Sequence, residues 1–210
     1  MARPPGRWWE MPSVLFVCTA NQFRSPLAAA IFRKALVSEG QQRRSPWHIG
    51  PIDDWTVESA GTWARDGVPV LRDVLEAGNQ LGMDLSEHRS MMVNKGLLSR
   101  YDLVLVMQES HHELLCREYP QFREHFYLLS LVVDQSPYDF QDTHRFLKDV
   151  LQVGRAMDTL IQRNMHYICV LALALHNKRN WVTYEDCAEV EYTARQLLKV
   201  QSLFTPGMVE

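Results

Sequence analysis

The strongest chemical signal in the chain is a cysteine followed by an arginine at short range. Residues 14–31 read VLFVCTANQFRSPLAAAI, so Cys18 is separated from Arg24 by five residues, and Ser25 and Pro26 follow at once. The apolar run VLFV is typical of a buried strand. Serine followed by proline is typical of a helix N-cap and first turn. The pattern predicts a strand, a loop and a helix, with Cys18 at the carboxyl end of the strand.

This placement has a chemical consequence. Backbone N–H groups in such a loop and at the start of a helix have no backbone partner, and they carry partial positive charge. They can bind a tetrahedral oxyanion, and Arg24 can add a two-pronged contact to it. Positive potential also favours the thiolate form of a cysteine. A thiolate that faces a bound phosphate is a nucleophile directed at phosphorus, so the residues predict cysteinyl-phosphate chemistry.

At these positions the chain resembles the low-molecular-weight protein tyrosine phosphatases, whose loop is C-x-x-N-x-x-R-S-P. Cys18, Asn21, Arg24 and the Ser25-Pro26 pair match that motif. The resemblance implies that Cys18 is the nucleophile and Arg24 clamps the phosphate. It also implies that Asn21 holds the turn of the loop and Ser25 hydrogen-bonds the thiolate. His88 would support Asn21, although the residues alone favour a solvated loop histidine.

The remaining loop positions are predicted to bind substrate or phosphate. These are Thr19, Ala20, Gln22 and Phe23. Many family members carry a second cysteine just before the loop arginine, and Phe23 occupies that position here. The nucleophile is therefore expected to lack a neighbouring thiol that could shield it from over-oxidation.

The general acid is harder to assign. The reaction needs a proton donor for the leaving oxygen, and the resemblance implies an aspartate in a D-P-Y loop after the fourth strand. Here residues 132–140 read VVDQSPYDF. Matching the P-Y pair places Ser136 at the acid position, whereas the distance to the following helix favours Asp134, and Asp139 is a further candidate. We predict Asp134 first and Asp139 second, with Tyr138 lining the cleft.

Strands that alternate with helices predict an α/β fold with a parallel sheet. The resemblance implies three layers and four strands in the order 2-1-3-4, and the sequence itself predicts extra C-terminal helices beyond the usual end of the family. We expect a tail at residues 1–11, a phosphatase-like domain at 12–164 and a helical extension at 165–210 packed on the domain. The extension could also form a homodimer. His111 and His112 are expected at the surface of a polar helix.

Composition limits the other possibilities. The 210 residues carry a net charge of −3 without a dense basic stripe, which argues against nucleic acid as a partner. Four widely spaced cysteines argue against a zinc site and a disulfide framework. No signal-peptide core or membrane-length apolar run is present. We expect a cytoplasmic enzyme that needs no metal or cofactor and does not bind membranes.

The leading hypothesis is a hydrolase that acts on phosphotyrosine in proteins or on a small aryl phosphate. A phosphate- or phosphoprotein-binding module with weak turnover is the alternative, supported by the alignment that places Ser136 at the acid position. A thiol-dependent arsenate reductase is a third hypothesis, but it requires further cysteines near the nucleophile. Cys116 has no neighbouring cysteine in the sequence.

Overall fold

A four-stranded parallel sheet forms the centre of the molecule. The structure is a computed structural model, and it describes residues 12–41, 55–144 and 146–180. The strands are β1 (Ser13–Cys18), β2 (Thr56–Gly61), β3 (Leu103–Val106) and β4 (Phe126–Leu128). Their order is β2-β1-β3-β4, and every pairing is parallel. The predicted fold class and strand order are confirmed.

Helices cover both faces of the sheet. In chain order they are α1 (Arg24–Gln41), α2 (Arg72–Gln80), α3 (Lys95–Leu98), α4 (Glu109–Glu118), α5 (Leu129–Asp134) and α6 (Leu147–Asn180), with a 3-10 helix at Pro120–His125 between α4 and β4. α6 packs against α1, α2 and α5, whereas α4 packs against β3 and β4. The sheet is therefore the middle of three layers.

The side chains of β1 divide the core in two. All six residues of this strand are buried, and successive side chains point to opposite faces. Phe16 and Cys18 belong to the larger apolar cluster, on the side of α1 and α6. Leu15 and Val17 belong to the second cluster, with residues of α3 and α4. Because both faces are covered, the strand reads as a continuous apolar run in the sequence.

Two features differ from the expectations or refine them. Residues 132–134 were expected in a loop, but they form the end of α5, because Leu131, Val132 and Val133 are all buried in the apolar clusters. α6 continues beyond residue 164, with a non-helical conformation at Asn164. The predicted tail at 1–11 and the predicted helices beyond residue 180 lie outside the described residues. Within the part that the structure describes, no helix combines the length and the apolar character that a membrane span requires.

Candidate functional site

The loop between β1 and α1 is held by backbone contacts to the segment after β2. The N–H of Thr62 donates to the carbonyl of Cys18 at 2.9 Å, and the N–H of Trp63 donates to the carbonyl of Thr19 at 2.9 Å. Gly61 permits this approach, since a Cβ at that position would lie 2.4 Å from the Thr19 carbonyl oxygen. The small residues that end β2 are therefore required for the shape of the loop.

Asn21 fixes the turn inside the loop. Its backbone has φ 56°, the left-handed region that asparagine tolerates better than most residues. Its side-chain amide donates to the hydroxyls of Ser25 and Ser59, both at 2.9 Å. The amide oxygen accepts from the backbone N–H of Met91 at 2.9 Å. The amide thus uses both donors and its acceptor to tie the loop to β2, α1 and the segment before α3.

His88 holds the backbone of the same residue. Its Nε2 lies 2.8 Å from the carbonyl oxygen of Asn21, so this nitrogen donates the hydrogen bond. Burial lowers the pKa of His88, and the ring is neutral at pH 7 as a result. The resemblance implied a supporting role for His88, and the structure places its ring against the backbone of Asn21.

Cys18 and Ser25 form a pair at the base of the loop. The Cys18 Sγ lies 3.0 Å from the Ser25 Oγ, and both side chains are buried. The Ser25 hydroxyl also lies 3.1 Å from the carbonyl oxygen of Ala60 and accepts from Asn21. A hydroxyl has one proton. It can donate to Ala60 while Cys18 is a thiol, or to the sulfur once Cys18 is a thiolate.

Arg24 is the most unusual side chain of the site, because its guanidinium is only 1% exposed. Nη1 donates to the Gln108 Oε1 at 2.7 Å and to the carbonyl of Phe140 at 3.0 Å. Nη2 forms an ion pair with Asp142 at 2.7 Å and contacts the Thr19 Oγ1 at 3.3 Å. Nε is buried and has no hydrogen-bond partner. A buried N–H without a partner is rare and costly, so Nε is a donor that remains available for an anion.

Three carboxylates lie at the end of α5 and in the loop that follows it, residues 135–144, which we call the acidic loop, and their surroundings differ. Asp134 ends α5, is exposed, and interacts with the side chain of Tyr138. Asp139 accepts from the backbone N–H of Glu109 at 2.9 Å and so caps α4. Asp142 is the one whose carboxylate touches Arg24. Neither Asp134 nor Asp139 hydrogen-bonds to the loop between β1 and α1 (residues 19–23, the phosphate loop), and Asp142 was not among the acids predicted from the sequence.

Ser136 and Tyr138 lie on the same loop. Ser136 is exposed after the end of α5. Tyr138 is half-buried, with its ring 5.5 Å from that of Phe140, and its backbone is held by the Ser130 hydroxyl. Burial, followed by the charge of Asp134, raises the pKa of Tyr138 to about 12. Tyr138 is therefore a neutral aromatic side chain on the acidic loop.

Side chains in and beside this loop differ in their exposure. Phe23 is buried with its ring 6.2 Å from that of His144, and the Gln22 side chain donates to the carbonyl of Pro69 at 3.2 Å. Ala20 is exposed at the rim. Trp63 is 69% exposed although its backbone contacts the loop. These four side chains lie in or next to the loop that follows Cys18.

Sequence reasoning missed Gln108, His111 and Asp142. The expectation that His111 lies at the surface is wrong, because its side chain is 5% exposed and its Nε2 lies 2.9 Å from the Thr19 Oγ1. The position of Gln108 and His111 after a predicted strand could have indicated that they lie near the site. Gln108 and His111 closely follow the carboxyl end of β3, which pairs with β1, and sites in parallel sheets form where the ends of such strands meet.

Among the described residues, no group of three or more His, Cys, Asp or Glu side chains could hold a metal ion. The described cysteines other than Cys18 are also apart from the loop. Cys116 contacts His112 on α4 and packs with the second core cluster. Cys169 is buried in α6. Cys187 lies outside the described residues.

Comparisons with known proteins agree with this geometry. A relative from Ralstonia solanacearum, the probable low molecular weight protein-tyrosine-phosphatase EpsP, is 28% identical over 156 residues, covering 72% of this chain and 94% of the relative. The protein-arginine-phosphatase of Bacillus subtilis is 28% identical over 129 residues, covering 61% and 77%. Arsenate reductase 2 of Staphylococcus haemolyticus is 30% identical over 98 residues, covering 47% and 61%.

The fold has solved counterparts as well. The crystal structure of a low molecular weight protein tyrosine phosphatase from T. tengcongensis superposes with a TM-score of 0.62 and 29% identity, covering 73% of this chain and 97% of that one. The model of the family described as low molecular weight phosphotyrosine protein phosphatase matches residues 13–149. The chain belongs to the low molecular weight phosphotyrosine protein phosphatase family.

Proposed function

We propose that the protein hydrolyses phosphate monoesters through a cysteinyl-phosphate intermediate on Cys18. The observation that carries this proposal is the unpartnered Nε of Arg24, which is buried in a loop that also holds the Cys18–Ser25 pair. An anion bound there would receive the Nε–H and the free backbone N–H groups of the loop. These donors stabilise the charge on the non-bridging phosphoryl oxygens without reorganisation.

In the first step the Cys18 thiolate attacks phosphorus, a sulfur–phosphorus bond forms, and the bond from phosphorus to the leaving oxygen breaks. In the second step water attacks phosphorus, the sulfur–phosphorus bond breaks, and inorganic phosphate leaves. Ser25 would stabilise the thiolate before the first step and after the second. The leaving oxygen needs a proton in the first step, and the attacking water must lose one in the second.

We propose Asp142 for both proton transfers. Its Oδ2 contacts Arg24, so its carboxylate lies beside the guanidinium that would bind the phosphate. Its Oδ1 lies 3.2 Å from the Nδ1 of His144 at the rim. Asp134 and Asp139 remain alternatives, but Asp134 faces Tyr138 and Asp139 is used as a helix cap.

Hydrolysis of para-nitrophenyl phosphate by the wild type, Cys18→Ser, Asp142→Asn, Asp134→Asn and Asp139→Asn tests the assignment. We expect no turnover by Cys18→Ser and a fall in kcat of about 100-fold or more for Asp142→Asn. Asp134→Asn should stay within about twofold, as for an exposed surface substitution. Full activity of Asp142→Asn with loss of activity in another aspartate variant would overturn the assignment of Asp142.

Asp142 also orients Arg24, so a second measurement separates the two roles. An aryl phosphate whose leaving group is more acidic, such as 2,4-dinitrophenyl phosphate, needs less protonation. If Asp142 is the acid, Asp142→Asn should lose much less activity with this substrate than with phenyl phosphate. An equal loss with both substrates would indicate that Asp142 acts only by orienting Arg24.

We infer that phosphotyrosine in proteins is the substrate class, because the Ralstonia relative is named as a tyrosine phosphatase and because the aromatic side chains of Phe23 and Trp63 lie in or next to the loop. Phosphoarginine is the second candidate, supported by the name of the Bacillus relative. Comparing kcat/KM for a phosphotyrosine peptide and a phosphoarginine peptide of the same sequence decides between them. No turnover of any substrate, with phosphate still bound, would favour the binding-module hypothesis instead.

A further inference from the structure

Thr19 and His111 form a contact that the proposed reaction does not use. The Thr19 Oγ1 lies 2.9 Å from the Nε2 of His111 and 3.3 Å from the Nη2 of Arg24. His111 lies in the first turn of α4 and is buried. Its Nδ1 is enclosed and has no hydrogen-bond partner. A buried histidine that reaches the phosphate loop with only one nitrogen paired requires an explanation.

The number of protons available limits the possible arrangements. A threonine hydroxyl has one proton and two lone pairs, and a guanidinium can only donate. If the Nε2–H of His111 donates to Thr19, both lone pairs are used and the threonine proton remains free. In the other tautomer Thr19 donates to Nε2, and Nδ1–H becomes a buried donor without an acceptor. An unpartnered buried N–H is rarer than an unfilled acceptor, so the Nε2–H tautomer is favoured.

The charge around His111 favours a neutral ring. Burial, followed by the positive charge of Arg24, lowers the pKa of His111 to about 4, although Asp139 and Asp142 act in the opposite direction. The ring is therefore neutral between pH 5.5 and 8, and its single proton lies on either Nε2 or Nδ1.

The position of Thr19 indicates where its free proton goes. Nη2 of Arg24, which donates to Thr19, forms one edge of the planar guanidinium with the unpartnered Nε. Nη2 also donates to Asp142, so an anion that pairs with Nε lies next to Nη2 and near the Thr19 hydroxyl that Nη2 contacts. We propose that His111 is a positioning residue whose Nε2–H orients the Thr19 hydroxyl so that it donates its proton to an oxygen of the bound phosphoryl group. This inference rests on the proposed function, because it needs a phosphoryl group in the loop.

The tautomer can be measured without turnover. Long-range proton–nitrogen NMR spectra of the full chain, labelled with nitrogen-15 in histidine, distinguish a protonated from an unprotonated ring nitrogen. The signals of His111 are those missing from His111→Gln. We expect Nε2 protonated, Nδ1 unprotonated and no titration between pH 5.5 and 8. A ring protonated at Nδ1 would overturn the proposal.

Kinetic variants test the consequence. Thr19→Val should lower kcat/KM for para-nitrophenyl phosphate by about 10- to 100-fold and weaken inhibition by inorganic phosphate, as for a lost hydrogen bond to a charged group. Thr19→Ser should recover most of both. His111→Leu should act in the same direction as Thr19→Val, whereas His111→Gln, whose amide can donate, should recover most of the loss. The neighbouring His112→Gln is the matched control and should stay within about twofold.

The outcomes separate this inference from the proposed function. An active wild type with unchanged kinetics in Thr19→Val and His111→Leu would overturn the inference and leave the phosphatase intact. A wild type that neither hydrolyses aryl phosphates nor binds phosphate would overturn both. If His111→Leu does not fold, as judged by its melting temperature, Thr19→Val and His111→Gln decide the question.

Discussion

Single residues account for the loop chemistry. Asn21 adopts a left-handed backbone conformation, and its side-chain amide forms hydrogen bonds with three partners. These bonds hold the loop in one shape, so the proposed anion would need no rearrangement of its N–H groups. At the start of the same loop, the Cys18 Sγ lies 3.0 Å from the Ser25 Oγ.

Because Phe23 stands where a second thiol could lie, oxidation of Cys18 should be difficult to reverse. A peroxide converts a thiolate to a sulfenic acid, which a neighbouring thiol can capture as a disulfide with loss of water. Phe23 supplies no thiol, so we expect peroxide to inactivate the wild type in a form that dithiothreitol restores only in small part. Mass spectrometry should show sulfinic or sulfonic acid at Cys18.

Phe23→Cys is the matched variant. It places a thiol where many members of the family have one, and it should therefore regain most of its activity with dithiothreitol after the same exposure. Equal recovery of wild type and variant would contradict the prediction.

Other helices and loops supply the partners of Arg24 that the phosphate loop does not contain. The N–H of Phe140 donates to the carbonyl of Met107, and the carbonyl of Phe140 accepts from Arg24, both at 3.0 Å. These two bonds attach the acidic loop to β3 and to the start of α1. α5 sets where this loop begins, because its last residue is Asp134. Asp134 was predicted as the acid in a loop. It is instead the last residue of α5, and its side chain interacts with that of Tyr138.

At Gly154, α6 packs closely against Leu27 of α1 and Leu81 at the end of α2. A Cβ there would lie 2.9 Å from the Leu81 Cδ1 and 3.2 Å from the Leu27 Cδ2. Overpacking a close helix contact costs about 1–3 kcal/mol. We expect Gly154→Leu to lower the free energy of unfolding by that amount in urea titrations.

Thr159→Leu is the control for this substitution, because Thr159 is exposed on the same helix. It should change the free energy of unfolding by less than about 0.5 kcal/mol. If Gly154→Leu is as stable as the wild type, the close packing of α6 is not a constraint on the fold.

Across the whole molecule, a second buried polar cluster lies at the amino ends of β1 and β3. The Asp102 Oδ2 accepts from the backbone N–H of Ser13 at 2.9 Å and from its hydroxyl at 2.8 Å, and it lies 3.0 Å from the Nδ1 of His176 on α6. This cluster joins the end of α6 to the sheet. It is remote from Cys18, which ends β1 at the other edge.

Asp102 therefore contributes a pH-dependent part of the stability. Burial alone would raise its pKa, but hydrogen bonds from His176 and Ser13 outweigh that effect and hold the pKa below its usual value. A depressed carboxyl pKa stabilises the fold above the unfolded value, near 4, and this stability is lost as the pH falls through the folded value.

The test is Asp102→Asn, which keeps the shape but not the charge. We expect it to lower the free energy of unfolding at pH 7 by about 1–3 kcal/mol, because buried donors lose their charged acceptor, and to flatten its decline below pH 4.5. A variant with the same slope as the wild type in this acid range would contradict the assignment to Asp102.

The local part of the site could be predicted, and the remote part could not. Cys18, Asn21, Arg24 and Ser25 lie within a short stretch of sequence from the end of β1 to the start of α1, so residue types and short spacings were enough to predict an anion site with a nucleophile. Alternating strands and helices predicted a parallel sheet for the same reason, since both signals are local in the chain.

The contacts that complete the site join residues far apart in sequence. Arg24 meets Gln108 and Asp142 across 84 and 118 positions, and Thr19 meets His111 across 92. No local pattern identifies such partners. They converge because parallel pairing brings the carboxyl ends of β1 and β3 to one edge of the sheet. The sequence by itself thus determined the residue types of the loop and their short-range spacing. The packing of the sheet, α4 and the acidic loop decided which carboxylate contacts Arg24 and which histidine contacts Thr19.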